Sequence, residues 1–194
     1  MSGIRSDEIR TGPEYERARS QARRDIAELR RHRRVALGEL LTLVFENRET
    51  IRSLIEEVVR AERITEGVAV DQEVAVFNAV VPGPGELEAT LYVEVADPAD
   101  LASRLEELQG VEEAVYIEVA GRRTAGRPRQ LSLVEEPAPA YYVSFELDPQ
   151  QREAWLSGAP VSAGVDHPGV RATASLDDEQ RRSLAEDLRS AALG

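Results

Sequence analysis

Few residues in this chain are suited to chemistry. It has two histidines, His32 and His167, and no cysteine. Without thiols there is no disulfide framework, no iron–sulfur ligation and no thiolate nucleophile. His167 lies in Asp166–His167–Pro168. An imidazole there can ligate a metal while a second acceptor fixes its other ring nitrogen. Glu46, Glu57 and Glu62 would add hard oxygen donors, and such a set suits iron or manganese. The candidate metal ligands are therefore Asp166, His167, Glu46, Glu57 and Glu62. A plainer reading stands beside this one. In it His167 ties a turn, Glu46 pairs with Arg48 or Arg52, and Glu57 is a solvated helix carboxylate. Neither Glu-x-x-His nor His-Glu-x-x-His spacing occurs, so no local motif selects the metal reading.

Glu62 continues the apolar side of its predicted helix, where a carboxylate must be paired or hold its proton more tightly. It either pairs with Arg48 or Arg60 or serves as a general acid or base in a pocket. Other chemistry lacks its signature. Pro82–Gly83–Pro84–Gly85 is no phosphate loop, because proline removes the backbone donors that cradle phosphate. No Gly-x-Gly-x-x-Gly follows a strand, and there is no Gly-x-Ser-x-Gly elbow. No catalytic residue is assigned.

The chain has 194 residues and a net charge of -12, and all 24 of its basic side chains are arginine. Codon bias in a GC-rich genome accounts for the missing lysine. Residues 1–35 hold ten Arg against six Asp and Glu, about +4, which leaves about -16 for the remainder. Arg30–Arg31–His32–Arg33–Arg34 is the one candidate nucleic-acid patch. An acidic body repels a phosphate backbone, so a solvated helix end or an arm that docks on an acidic partner is the preferred reading. His32, among arginines, reads as a surface residue. No apolar run reaches the roughly 20 residues that span a bilayer, and the N-terminus shows no apolar signal region. A soluble cytoplasmic protein is expected.

The elements that must position these residues follow from local signals. Thr11–Gly12–Pro13–Glu14 starts a helix whose narrow apolar stripe is Tyr15, Ala18, Ala22, Ile26 and Leu29. Residues 33–46 could join a long helix, but Gly38, Thr42 and Val44 favour a hairpin: strand Arg34–Leu37, a turn at Gly38–Glu39, strand Leu40–Glu46. Asn47 caps a helix to about Glu62 with Ile51, Leu54, Ile55 and Val58 inward. Gln72–Val80 is a short helix. Glu88–Val95 is a strand, Asp97–Pro98 starts a helix ended by Gly110, and Ala114–Val119 completes a β-α-β element. Gly121–Gln130 reads as a mobile polar loop. Ala140–Leu147 is a strand, and Asp148–Pro149 starts a helix carrying Trp155. Pro160–Asp166 and Val170–Ala174 are strands, and Ser175–Asp178 caps a last helix with Leu184 and Leu188 inward. Mixed strands and helices predict α+β with a mainly antiparallel sheet and amphipathic N- and C-terminal helices. The division is an Arg-rich helical extension, 1–32, and a single α+β domain, 33–194.

Four segments, VALGELLTLVFENRETIRSLIEEVVRAERI, FNAVVPGPGELEATLYVEV, YYVSFEL and VDHPGVRATASL, resemble an uncharacterised bacterial domain-of-unknown-function family of about 190–200 residues. The likeness spans nearly the whole chain past residue 12. The chain departs from the pattern at Leu54 and Glu56, where glutamines are expected, and at Val58, where methionine is expected. The family has no assigned activity and transfers no catalytic residues. Its genes often sit near rubrerythrin-like and iron–sulfur proteins. The resemblance therefore implies an accessory or partner-binding role in oxidative-stress or redox metabolism, as a homo-oligomer or with such a protein. A metal-dependent enzyme using His167 and nearby carboxylates is the alternative.

Overall fold

The computed structural model describes residues 3–129 and 139–190. Its helices are α1 (Gly12–Arg31), α2 (Arg48–Ala61), α3 (Gly67–Phe77), α4 (Leu101–Glu107), α5 (Pro149–Leu156) and α6 (Asp178–Ser190). The strands are β1 (Arg34–Leu37), β2 (Leu41–Glu46), β3 (Glu86–Val93), β4 (Val115–Val119), β5 (Arg122–Ala125), β6 (Arg127–Arg129), β7 (Ala140–Glu146), β8 (Val161–His167) and β9 (Val170–Ser175). A five-stranded sheet runs β1-β2-β3-β7-β6 and a four-stranded sheet runs β5-β4-β8-β9. Every pairing is antiparallel. The fold is α+β, with a helix toward each end of the chain. Among the described residues no helix is long and apolar enough to cross a membrane.

The hairpin forms at residues 34–46, with Leu37 opposite Leu41 and Gly38 at φ +73°. That left-handed turn is open to glycine at little steric cost. Asn47 caps α2, accepting hydrogen bonds at Oδ1 from the backbone N–H of Glu49 and Thr50, both 3.0 Å. Asp148 caps α5 in the same way through Gln151.

Two cores result. Leu43, Phe45, Leu87, Leu91, Val143 and Phe145 point from the five-stranded sheet toward Ile117, Val119, Ala163 and Val165 of the other. Trp155 of α5 and Leu184 and Leu188 of α6 join this core. The opposite face of the five-stranded sheet is roofed by helices. There Ile51, Ile55 and Val59 of α2, Val70, Val74 and Phe77 of α3, and Ile4 and Ile9 near the N-terminus form the second core.

Three local expectations are corrected. Residues 121–129 are not a loop: β5 pairs with β4 and β6 with β7, while Gln130 lies outside the described residues. Gly126 is the corner where the chain passes from one sheet to the other. A Cβ there would lie 2.5 Å from Val143 Cγ1 and 2.8 Å from Val115 Cγ2, so the crossing needs glycine. The β-α-β unit is also absent as a paired motif, because β3 and β4 belong to different sheets and the segment carrying α4 crosses between them. On α2 the buried face is Ile51, Ile55 and Val59, with Leu54 and Val58 only half-buried. The helix is rotated toward Val59 because the segment at Ile4–Arg10 covers one of its flanks.

Candidate functional site

The roofed face of the five-stranded sheet is polar. Strand alternation puts Thr42, Val44 and Glu46 of β2, Glu88, Thr90 and Tyr92 of β3, and Tyr142 and Ser144 of β7 on this one face. Glu46 lies directly opposite Glu88, and Glu88 directly opposite Ser144. Like charges opposite each other on neighbouring strands are destabilising, so this pair must be managed. Glu46 and Glu88 are each 1% exposed.

Their surroundings differ. Glu46 Oε1 accepts from Thr90 Oγ1 at 3.0 Å, and Arg30 Nη2 of α1 donates to both carboxylate oxygens at 3.3 and 3.2 Å. Glu88 Oε1 has no hydrogen-bond partner, and its Oε2 has only Arg129 Nε at 3.8 Å. Arg129 is committed instead to Glu86. Burial therefore pushes the Glu88 carboxyl up to about 8, against a weaker pull from Arg129 and with added repulsion from Glu86 and Glu46. At neutral pH Glu88 is mainly protonated, whereas Arg30 and Thr90 meet the oxygens of Glu46. Burial also raises Tyr92 and Tyr142, and the Glu46 carboxylate raises both further. The site is an arginine-paired carboxyl group beside a neutral carboxylic acid, under a helical roof.

Above it, α1 lies on α2, fastened mainly by charge. Arg10 grips Glu56 through Nε and Nη2, both at 2.7 Å, and Glu56 is fully buried. Arg19 donates to both oxygens of Glu57 at 2.9 and 3.0 Å, and Tyr15 Oη donates to the same group at 2.9 Å. The Arg19 hydrogen bonds lower the Glu57 carboxyl, while burial and the Glu57 bond lift Tyr15 to about 12. Tyr15 is the one fully covered member of the α1 stripe; Ala18, Ala22, Ile26 and Leu29 stay half-buried. Cavities of about 430 and 380 Å³ flank α1 on its two sides.

The five proposed metal ligands are dispersed. Asp166 is exposed and paired with Arg171 at 2.9 Å. His167 lies in the β8–β9 turn, where Nδ1 accepts from the Gly169 N–H and Nε2 meets Gln109 O, each at 3.1 Å. Both ring nitrogens are thus engaged by backbone. Both residues belong to the four-stranded sheet, whereas Glu46 belongs to the five-stranded one. Glu57, on α2, is held by Tyr15 and Arg19 of α1, and Glu62 is the exposed C-cap of α2. Among the described residues no three His, Cys, Asp or Glu side chains form a group that could hold a metal ion. The partner foreseen for Glu46 also differs: it is Arg30, not Arg48 or Arg52. The buried carboxylate of α2 is Glu56, not Glu62.

The basic run divides among separate acids. Arg30 meets Glu46, Arg31 meets Glu28, Arg34 meets Glu94, and His32 lies near Glu28 and Glu179. Arg33, 1% exposed, donates to Phe45 O at 2.8 Å and Glu46 O at 3.1 Å and pairs with Asp187 of α6. It ties the end of α1 to β2 and to the C-terminal helix. Glu88 stands at the start of a strand in the sequence reading and is not counted there among the site residues. Its only signal was the alternation of residues 87–93, which assigns it to a polar face without saying that helices cover that face.

A family model described as a protein of unknown function (DUF3501) matches residues 3–188. The chain belongs to this family. A crystal structure described as a novel protein of unknown function from Burkholderia pseudomallei K96243 has a TM-score of 0.88 and 27% sequence identity, covering 96% of this chain and 100% of that one. Comparison with curated proteins gives no match. The family therefore establishes kinship and fold without an activity, and function must be argued from the site.

Proposed function

We propose that this chain is an accessory protein that docks an acidic protein partner on the α1 flank. The observation that carries this reading is the incomplete seating of α1. A 20-residue helix spans about 30 Å, yet only Tyr15 of its stripe is closed off. The flank formed by Ala18, Ala22, Ile26 and Leu29 leaves a groove of about 380 Å³ against α2. Gln21, Asp25, Glu49 and Arg52 rim this groove, and α1 as a whole is net basic, with six arginines against four carboxylates, on a chain of net charge -12. Apolar strips rimmed by polar residues mark protein contacts, and a net-basic helix favours an acidic surface. The family resemblance directs the choice of partner to a rubrerythrin-like or iron–sulfur protein, and the setting to redox or peroxide handling.

The test is sedimentation of the chain alone and with a purified rubrerythrin-like protein, from about 50 to 500 mM salt. A complex that weakens with salt and is lost in Ile26→Asp supports the reading. Self-association without a complex would put a second copy in the partner's place. A chain that stays monomeric and leaves the other protein unshifted would overturn the reading.

A second reading, an iron- or manganese-dependent enzyme, draws on the unpartnered Oε1 of Glu88 beside Glu46. Hard oxygen donors suit those metals. Arg30 and Arg129 would have to withdraw first, which favours the accessory role. Elemental analysis of the native protein beside Glu88→Gln and His167→Ala separates the two. Metal lost only with Glu88 would place it on the sheet face, and metal lost with His167 would place it at the β8–β9 turn.

A further inference from the structure

We propose that the other flank of α1 is a binding site for a small oxyanion, a carboxylate or phosphate bearing a short apolar group. The site does not depend on the docking reading, because it lies on the other flank of the helix, shares only Ile26 and Ser53 with the docking groove, and needs no protein partner. Arg19, Arg23, Ile26, Ala27 and Arg30 recur at helical spacing along α1. They face Thr50, Ser53, Leu54 and Glu57 of α2, which recur in the same way, across a cavity of about 430 Å³. Cavities of roughly 300–1,000 Å³ hold small molecules.

The donors and acceptors in this groove do not balance. Both oxygens of Glu57 are taken by Arg19, with Tyr15 Oη added. Glu46, below the groove, is likewise filled by Arg30 and Thr90. Arg23 has no hydrogen bond or ion pair among the described residues, and Ser53 Oγ has no hydrogen bond among them. Arg30 Nε is buried without a partner. Buried donors are rarely left unpaired, and each guanidinium offers five N–H groups in a planar fork that fits a carboxylate or phosphate. The unfilled groups are thus donors: Arg23, the Nε of Arg30 and the hydroxyl of Ser53. Three arginines against the one carboxylate that lines the groove make it positive within an acidic protein. Ile26, Ala27 and Leu54 form an apolar wall, which admits a short hydrocarbon tail. A metal cation is disfavoured by the same count, since the lining carboxylate is already saturated by donors.

The experiment is ¹H–¹⁵N correlation spectroscopy of the full chain, observing arginine Nε–H and backbone amides. It is titrated with inorganic phosphate, with butyrate and, at matched ionic strength, with sodium chloride. Saturable shifts at residues 19–30 and 50–57, with affinity weakened at least tenfold in Arg23→Gln, are expected. Butyrate exceeding phosphate would assign the tail to the apolar wall, and the reverse would assign the head group to phosphate. Arg23 is exposed, so its variant keeps the fold, and unchanged dispersion of the remaining amides checks this. Shifts that match sodium chloride, that spread equally to the arginines of α6, or that persist unchanged in Arg23→Gln would overturn the proposal.

Discussion

The buried acid on β3 makes a quantitative prediction about stability and pH. Glu88 holds its proton up to about pH 8 in the folded chain, against 4.5 for a glutamate free in water. Below pH 4.5 both folded and unfolded chains carry that proton, and Glu88 adds no pH dependence. Between pH 4.5 and 8 the unfolded chain releases the proton and the folded chain keeps it. The folded state then binds more protons, so stability falls as pH rises. The slope is about 1.4 kcal/mol per pH unit, which gives about 5 kcal/mol over the window as an upper bound and about 3 kcal/mol between pH 5 and 7.5. Glu88→Gln keeps the shape and removes the titration. Urea unfolding followed by the single, buried Trp155 should therefore show the variant gaining on the native chain as pH rises. The difference between the two chains cancels the opposite trend from carboxylates that arginines hold low, such as Glu57. A difference that stays flat within about 0.5 kcal/mol from pH 5 to 8 would refute the reasoning, since Glu88 would then ionise in the folded state at no cost.

Other perturbations test the architecture. Gly126→Ala should cost about 1–3 kcal/mol by thermal or urea unfolding, because its Cβ would press on Val143 and Val115 at the sheet corner. Arg10→Ala should lower stability by about 1–3 kcal/mol, since it leaves the fully buried Glu56 with only the residue-10 backbone N–H, at 3.2 Å, and Arg52, at 3.4 Å; a neutral effect would mean that water replaces the Arg10 side chain. Asn47→Ala should cost about 1 kcal/mol by removing both cap bonds of α2. His167→Ala should change stability by less than about 1 kcal/mol, because its ring holds only a turn; a larger loss, or a loss of bound metal, would point to a site at the β8–β9 turn.

Much of the local structure could be read from neighbours along the chain. Gly38 between two apolar runs marks the hairpin, and Asn47 and Asp148 mark helix starts, because turns and caps depend on residues three or four apart. Alternation marks a strand at residues 88–95 for the same reason, and the structure places it at Glu86–Val93. The family kinship was also visible, through four segments that together cover most of the chain. The candidate site was not visible in this way. Glu46 and Glu88 are 42 positions apart and become neighbours only through the β2–β3 register. Arg30 reaches Glu46 only because α1 folds back over that sheet. Without the roof, an alternating strand with Glu88 outward is an ordinary solvated edge, and nothing in its spacing distinguishes a covered face from a wet one.

The same limit explains Gly126 and Arg33. An Arg-rich stretch with two glycines reads as a loop, and only the meeting of two sheets makes Gly126 a corner. A run of arginines reads as a basic patch, and only the packing of α6 against β3 of the five-stranded sheet brings Asp187 onto Arg33 and buries it. Composition and short-range pattern determine which segments become helix or strand, since those preferences are set within a few residues. Which charges are buried, which keep their protons and which donors are left unfilled depends on distant segments meeting, because desolvation and pairing exist only after the chain has closed.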